Sequence, residues 1–286
     1  MKISDIYKNK DRVLSFEIFP PKHDEELTDI DATLEIMSDL NPDYISVTFG
    51  AGGSSNNNKT IRLARKIKDQ FKIEPVVHLT CLTYSKDEID NFCKELQDNG
   101  IENILALRGD INPNLEMKDD FKHASDLITY IKSKYDFCIA GACYPECHPD
   151  SPNRVSEFTN LRKKVDAGAE VLLSQLFFDN DLFYTFVEDS RIAGIDIPIT
   201  PGVMPVVNAA QIKRMITTCG ASLPPRFERI VRRYEDNKDA LLDAGIYYAI
   251  SQIIDLLASG SDGVHLYTMN NPVVAKKICD SLKNIV

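Results

Sequence analysis

Short apolar runs alternate with longer amphipathic segments along the chain. Eight of these runs have the continuous apolar character that is typical of strands buried on both faces of a parallel sheet. They span residues 12–19, 43–49, 74–81, 101–107, 137–143, 170–176, 197–200 and 263–267. The segments between them carry apolar residues at helical spacing, and Ser85 and Asn208 stand where they can cap two of the helices. The pattern predicts consecutive strand–helix units.

Eight such units in 286 residues favour an α/β fold in which the sheet closes as a (β/α)8 TIM barrel. An open doubly wound sheet is the alternative. It usually has a glycine-rich turn after its first strand, whereas Pro20 and Pro21 follow the first strand here. Extra helices are predicted at 224–233 and 236–259, between strands seven and eight. Because no Pro-, Gly- and Ser-rich linker divides the chain, residues 1–286 are predicted to form a single domain.

Composition and charge narrow the classes of function. A net charge of −10 argues against a nucleic-acid binder, which would need a basic face. No apolar run approaches the roughly 20 residues that cross a bilayer, and no apolar secretory segment follows Met1. The seven cysteines are scattered and odd in number, which fits reduced thiols. We therefore expect a cytoplasmic protein that binds neither nucleic acid nor a membrane.

Polar side chains stand at the carboxyl ends of the predicted strands. The chemistry of (β/α)8 barrels lies at this end of the sheet, so these side chains should meet on one rim. They are Glu17, Thr48, His78, Arg108 with Asp110, Tyr144, Gln175 and Thr200. Polar residues at the ends of so many strands are stronger evidence for a functional site on this rim than any single motif.

Glu17 and the Arg108-Gly109-Asp110 turn are the strongest candidates within this set. Glu17 lies in an apolar run, where burial disfavours the charged carboxylate, so it could act as a general acid. The alternative is a Glu paired with a lysine or arginine inside the barrel. For the turn, the alternative is that Arg108 and Asp110 simply neutralise each other.

Three other patterns give weaker indications. The spacing of Cys143, Cys147 and His148 does not match the usual zinc sites, so we expect no metal and a hydrogen-bonding role for His78. The glycine-rich loop 50–53 lacks the Gly-Lys-Ser/Thr ending of a phosphate loop, and a flexible loop is favoured. Asn160 and Lys164 share one helix face, which is either solvated or able to hold a phosphate or ribose.

Several motifs together resemble the methylenetetrahydrofolate reductase family. They are LSFEIFPPK at 14–22, SVTFGA at 46–51, HLTC at 78–81, ALRGD at 106–110, YPE at 144–146 with HP at 148–149, KVDAGA at 164–169 and QLFFD at 175–179. These motifs stand in the family's order and spacing, and the resemblance covers about residues 14–279. The length resembles the catalytic barrel of the bacterial enzymes.

This resemblance implies an FAD-bearing barrel that reduces 5,10-methylenetetrahydrofolate to 5-methyltetrahydrofolate for methionine biosynthesis. The reaction would be ping-pong, with NADH or NADPH reducing the flavin before the folate binds, and the enzyme would be a homo-oligomer. The resemblance implies catalytic roles for Glu17, as general acid, and for Asp110, which would contact both flavin and pterin. Gln175 would bind the pterin. Further flavin contacts would come from Thr48, His78, Arg108, Gly109, Asp110, Tyr144, His148, Glu157, Asn160 and Lys164.

The chain departs from the family pattern at a few positions. Glu157 replaces a frequent Asp at the presumed ribose contact, and Asn271 stands where relatives commonly have an Arg that can reach the folate. Two other hypotheses remain open. Another flavin barrel, similar to proline dehydrogenase, would not need the opening motif around Glu17. A folate-binding module without catalysis would not need Glu17, Asp110 and Gln175 together.

Overall fold

The computed structural model describes residues 1–20, 27–49, 54–111 and 113–285, without the side chains of residues 27–29 and 54–57. The strands are β1 (Val13–Ile18), β2 (Tyr44–Val47), β3 (Glu74–Thr80), β4 (Asn103–Leu107), β5 (Cys138–Cys143), β6 (Val171–Ser174), β7 (Ile199–Thr200), β8 (Gly202–Val203) and β9 (Gly263–Tyr267). The helices are α1 (Ile3–Asn9), α2 (Leu27–Ser38), α3 (Ser54–Phe71), α4 (Lys86–Asp98), α5 (Ala124–Lys134), α6 (Arg154–Asp166), α7 (Asn180–Ile192), α8 (Ala209–Cys219), α9 (Pro225–Tyr234), α10 (Lys238–Ala258) and α11 (Pro272–Leu282). The glycine-rich loop at 50–53 and the end of the opening motif at 21–22 lie outside the described residues.

The strands form one parallel sheet in the order β7-β6-β5-β4-β3-β2-β1-β9-β8. Strands β7 and β8 are neighbours in the chain, separated by Pro201 alone. β7 pairs with β6 and β8 pairs with β9, so the two halves of one broken strand close the barrel. The predicted TIM barrel is confirmed. The break in the seventh strand was not predicted, and it falls at the residue that has no N–H to donate to a sheet.

Local sequence rules account for several helix ends. Ser85 accepts a hydrogen bond from Glu88 N and forms a capping box at the start of α4. Asn208 caps α8 by accepting from Gln211 N. Gly100 follows the end of α4 with φ of +66°, a conformation that glycine adopts without strain. The caps predicted at Ser85 and Asn208 are confirmed.

The two extra helices predicted at 224–233 and 236–259 are present as α9 and α10, after the helix α8 that Asn208 caps. α10 is long and apolar enough, by length and composition, to cross a membrane, and half of its most apolar stretch is buried against the barrel. The expectation that no apolar stretch approaches that length is therefore wrong. Ile246, Ile253 and Leu257 on α10 belong to the main core, so burial against the barrel explains the apolar composition.

The short helix α1 lies at the amino-terminal end of the barrel and was not predicted. Ile3, Ile6 and Tyr7 pack on a cluster of side chains from the bases of the strands. The Tyr7 hydroxyl lies 2.6 Å from Thr200 Oγ1 and 3.0 Å from the Tyr44 hydroxyl. Thr200 therefore faces the base of the barrel, and its predicted place on the catalytic rim is wrong, because the broken strand continues beyond it to Val203.

Candidate active site

In the part of the chain that the structure describes, three adjoining cavities open at the carboxyl ends of the strands, and Tyr144 lines all of them. The first, of about 530 Å³, is lined by Phe49, Thr80 and the turn 108–111 among others. The second, of about 250 Å³, goes down to Glu17, Thr48 and His78. The third, of about 270 Å³, extends the mouth towards Asp150 and the end of α8. The cavity walls include Glu17, Thr48, His78, Arg108, Gly109, Asp110, Tyr144, His148 and Gln175, which were all predicted site residues.

Glu17 lies between two imidazoles at the bottom of the second cavity. Its Oε2 is 3.5 Å from His78 Nε2 and 3.9 Å from His265 Nε2. Among the described residues, no lysine or arginine forms an ion pair with Glu17, so nothing supports the alternative interpretation. His78 is buried and its Nε2 has no hydrogen-bond partner in the described part of the chain. A buried orphan nitrogen beside a carboxyl group is a candidate for contact with a ligand or with a protonated carboxyl.

Burial is the main reason why the pKa of His78 falls to about 4. The neighbouring Glu17 acts in the opposite direction, and His265 adds to the lowering. Because the imidazole is neutral at neutral pH, it offers one donor and one acceptor and no positive charge. Glu17 therefore lies near two imidazoles, and among the described residues it has no lysine or arginine as a counter-ion.

Sequence reasoning missed His265 and Tyr267. The ring of His265 is held by Ser15 Oγ, 2.8 Å from Nδ1, and stacks on Tyr44 at 6.3 Å between centroids. The Tyr267 hydroxyl donates to the Ser174 carbonyl at 2.7 Å. In the register of the sheet Ser15 pairs with His265 and Glu17 with Tyr267. His265 and Tyr267 are two positions apart, so the alternation of side chains along β9 places both on one face of the sheet. Their position beside Ser15 and Glu17 follows only when the pairing of β9 with β1 is known.

The Arg108-Gly109-Asp110 turn is fixed by its backbone. The Arg108 carbonyl accepts from the N–H groups of Cys81 and Leu82 at 3.2 and 3.1 Å. The Arg108 guanidinium binds Asp150 Oδ2 at 2.7 Å, so the alternative pairing with Asp110 is wrong. Among the described residues Asp110 has no ion-pair partner, and it lines two of the cavities.

Gly109 lets the turn approach strand β3 closely. Its φ is +88°, and a Cβ at this position would lie 3.0 Å from Thr80 Cβ. Any larger residue would combine a strained backbone with a close contact. Gly109 and Thr80 therefore form part of the wall of the first cavity.

Tyr144 joins the cavities to helix α6. Its ring meets His148 edge-on at 4.7 Å, and Lys164 Nζ lies 5.8 Å from its centroid and donates to the Ala142 carbonyl. Burial, with Glu157 and Asp110 nearby, raises the pKa of Tyr144 to about 12. Burial also lowers the pKa of Lys164 and, with the help of Arg108, that of His148. Lys164 therefore lies behind the ring of Tyr144 and is not part of the cavity lining.

Comparison with known proteins assigns the family. The profile of the family described as methylenetetrahydrofolate reductase matches residues 2–283. The 5,10-methylenetetrahydrofolate reductase of Escherichia coli (strain K12) is 34% identical over 269 residues, covering 94% of this chain and 90% of that protein. The chain belongs to the methylenetetrahydrofolate reductase family.

Longer relatives extend beyond the matched region. Methylenetetrahydrofolate reductase (NADH) 1 of Arabidopsis thaliana is 35% identical over 284 residues, covering 94% of this chain but 48% of the plant protein. A rice relative, named as a probable methylenetetrahydrofolate reductase (NADH), shows the same coverage. This member of the family therefore spans about half the length of these plant relatives.

Solved structures share the fold at much lower identity. A Clostridium thermocellum protein described as binding two copies of 5-methyl-5,6,7,8-tetrahydrofolic acid has a TM-score of 0.68 and 14% identity, covering 100% of this chain and 99% of that one. A dihydropteroate synthase of Coxiella burnetii has a TM-score of 0.54 and 10% identity, covering 95% and 93%. These similarities support the barrel of the reductase family.

The remaining predicted flavin contacts lie on α6, behind the cavity wall. Glu157 is buried and accepts from His148 N and Ser151 Oγ, so it holds the loop that carries His148. Asn160 is exposed, and its side-chain oxygen accepts from Lys163. Neither residue lines the three cavities, and their contact with a cofactor stays a prediction. Asn271, which stands in place of the family's frequent Arg, caps α11 by accepting from Val274 N.

The FAD that this family implies is compatible with the lining. The first cavity combines flat contacts from Phe49 and Tyr144, the close approach at Gly109, and donors from Arg108 and His148. The planar flavin ring of FAD needs flat contacts and a close approach of the backbone. The pyrophosphate of FAD needs hydrogen-bond donors and positive charge. In the part of the chain that the structure describes, no group of three or more His, Cys, Asp and Glu residues could hold a metal ion.

Proposed function

We propose that this chain is an FAD-dependent 5,10-methylenetetrahydrofolate reductase that uses NADH or NADPH by a ping-pong mechanism. The proposal rests on one observation above all. Glu17 lies at the bottom of a cavity that joins the space around Asp110, Tyr144 and Gln175, in a member of this family. A general acid, a charge-tuning carboxylate and an amide around one space are what this reduction requires.

Glu17 would donate the proton that opens the folate ring. Proton transfer from its carboxyl to N10 breaks the bond between N10 and the bridging methylene carbon, and leaves an iminium at N5 of the substrate. His78 and His265 would flank the carboxyl and keep it oriented, and the neutral His78 would do so without forming an ion pair. The side chain of Glu17 is 12% exposed, so a substrate above it would remove most of the remaining water.

Asp110 and Gln175 would position the pterin. Gln175 N binds the Cys143 carbonyl at 2.8 Å, and this bond fixes the backbone from which the amide reaches the cavity. Asp110 faces the same space without an ion-pair partner among the described residues, so its charge is available to the pterin and to the flavin. A negative charge there would favour the oxidised flavin and so promote reduction of the folate.

The cofactor would lie in the first cavity, which is lined by the turn 108–111. Gly109 and Thr80 would allow its ring to approach the turn, while Arg108 and His148 would donate to its phosphates or ribose. When bound, FAD supplies the hydride chemistry that links the nicotinamide to the folate carbon. The nicotinamide and the folate would occupy the space above Glu17 in turn, which corresponds to a ping-pong order.

Spectroscopy of the purified protein tests this proposal. The protein should be yellow, bleach when mixed anaerobically with NADH or NADPH, and regain its colour when 5,10-methylenetetrahydrofolate is added. Rates of bleaching with the two donors identify the nicotinamide that is used. A protein that cannot take up FAD, or whose reduced flavin is unaffected by the folate, contradicts the proposal.

The variant Glu17→Gln separates the two half-reactions. The amide keeps the shape of the side chain but has no acidic proton, so reduction of the folate should fall by about 10²–10⁴-fold. Flavin reduction by the nicotinamide should stay within about twofold, because no proton transfer from Glu17 is needed there. Stopped-flow absorbance follows both steps. If both half-reactions slow together, Glu17 is not the general acid.

A further inference from the structure

The backbone of β1 continues past the point where its partner strand β9 turns away. The ladder between the two strands ends at the pair Glu17 and Tyr267. On the opposite edge, pairing with β2 goes further, because Thr48 N donates to the Ile18 carbonyl at 3.0 Å. The residues after Glu17 therefore need other partners on the β9 side, since unpaired backbone groups in a half-buried segment are costly.

Two side chains after β9 supply these partners. Thr268 Oγ1 donates to the Glu17 carbonyl at 2.6 Å. Asn270 then makes two bonds with one residue: its Nδ2 donates to the Phe19 carbonyl at 2.9 Å, and its Oδ1 accepts from Phe19 N at 2.8 Å. The amide of Asn270 thus copies the donor and acceptor of a paired strand residue, at the place where the main chain no longer provides them.

The turn that directs this amide has a strained backbone. Asn271 N donates to the Thr268 carbonyl at 2.9 Å, which closes a turn over Met269 and Asn270. Both of these residues have positive φ, 52° and 54°. Asparagine tolerates this region, whereas methionine rarely occupies it, and such strain persists where the surroundings enforce it. Met269 is 40% exposed, so packing of its own side chain does not account for the conformation.

We propose that Asn270 is a positioning residue for Glu17, acting by clamping the backbone on the exit side of β1. The carboxyl of Glu17 reaches the two imidazoles from a backbone that is held by the sheet before it, by Thr268 at its own carbonyl, and by Asn270 two residues later. Without this clamp, the segment that leads out of β1 is free to shift, and the carboxyl shifts with it relative to the substrate. Because Glu17 is needed only for the folate step, the clamp affects that step alone. This inference rests on the proposed function.

The test variant is Asn270→Gly, measured in the FAD-loaded full chain. Glycine accepts the positive φ without strain, so the turn is kept and only the amide is removed. The rate constant of folate reduction should fall about tenfold to a hundredfold, as expected when a reacting group is misplaced. Flavin reduction by the nicotinamide and the Kd for the folate should each stay within about twofold. Thr268→Val, which removes the bond to the Glu17 carbonyl without changing the size of the side chain, should act in the same direction.

A second readout does not depend on activity. Amide hydrogen exchange at Phe19 should accelerate about tenfold in Asn270→Gly, because its N–H loses its acceptor. Two neighbouring variants are controls. Met269→Gly relieves the strain and keeps the clamp, so exchange and both half-reactions should match the unmodified chain. Asn271→Gly loses the cap of α11, so it should lower thermal stability without slowing folate reduction.

The outcomes separate this inference from the proposed function. If the unmodified chain does not oxidise its reduced flavin with the folate, the proposed function is wrong, and Phe19 exchange still decides whether the clamp exists. If the unmodified chain is active and Asn270→Gly reduces folate at the same rate, the positioning role is wrong. Equal loss in both half-reactions, or unchanged exchange at Phe19, also overturns it.

Discussion

At the residue scale, imidazole rings flank the carboxyl of Glu17. His78 and His265 approach the carboxyl from two strands, and Tyr267 lies beside Glu17 in the sheet register. A lysine or arginine in their place would hold the group as a carboxylate and oppose proton donation. The neutral imidazole of His78 is therefore consistent with the proposed role of Glu17 as a general acid.

The lowered pKa of His78 leads to a prediction about stability. Its value is about 4 in the folded protein and close to 6.5 when unfolded, so the unfolded chain binds more protons between these values. The stability that His78 contributes is complete above about pH 6.5 and is lost as the pH falls towards 4. Between pH 7.5 and pH 5 the loss should be about 2 kcal/mol.

Urea unfolding of His78→Gln at the two pH values tests this effect. Glutamine does not titrate, so the variant should lose less free energy of unfolding on acidification than the unmodified chain. His148, which also has a lowered pKa, remains in both proteins and cancels in the comparison. If acidification destabilises both proteins equally, the titration of His78 does not contribute.

At the scale of single elements, the turn after β4 depends on Gly109. Gly109→Ala would strain a backbone at φ +88° and place Cβ 3.0 Å from Thr80 Cβ. We expect a loss of about 2 kcal/mol in stability and weaker binding of FAD, since the wall of its cavity would shift. Gly100→Ala is the matched control, because Gly100 also has positive φ but no atom within 4 Å of the added Cβ.

Denaturant unfolding and titration with FAD measure both variants. Gly100→Ala should show the backbone strain alone and an unchanged Kd for FAD. If the two variants lose equal stability and bind FAD equally well, then the close approach of Gly109 to Thr80 has no role in the cofactor site.

Elements that depend on local patterns could be predicted from the sequence, and contacts that depend on closure of the barrel could not. Apolar runs and caps such as Ser85 identify strands and helix ends, and the common rim follows because parallel strands end on one side. The pairing of Arg108 with Asp150 and of Asn270 with Phe19 joins residues far apart in the chain. The hydrophobic periodicity along the chain gives no information about such contacts. The helix α1, with seven residues, is too short to show one.

At the scale of the whole molecule, the candidate site and the base cluster around α1 lie at opposite ends of the barrel. From the base upward, Tyr7 contacts Tyr44, whose ring stacks on His265, and His265 faces Glu17. Side chains thus fill the barrel from α1 to the cavity floor. The candidate site residues lie above this column. The base is packed with apolar side chains, among which the hydroxyl groups of Tyr7, Tyr44 and Thr200 hydrogen-bond to each other.

Ile3→Ala tests whether the two ends are independent. Ile3 is fully buried in the base cluster, so the cavity left by truncation should cost about 3 kcal/mol of unfolding free energy. Both half-reactions should stay within about twofold of the unmodified rates, because the Tyr44 and His265 layers separate Ile3 from Glu17. Ile192→Ala is the control: Ile192 is 85% exposed, and its loss should change stability by less than about 0.5 kcal/mol. If Ile3→Ala slows folate reduction by much more than about twofold, the base of the barrel contributes to the position of Glu17.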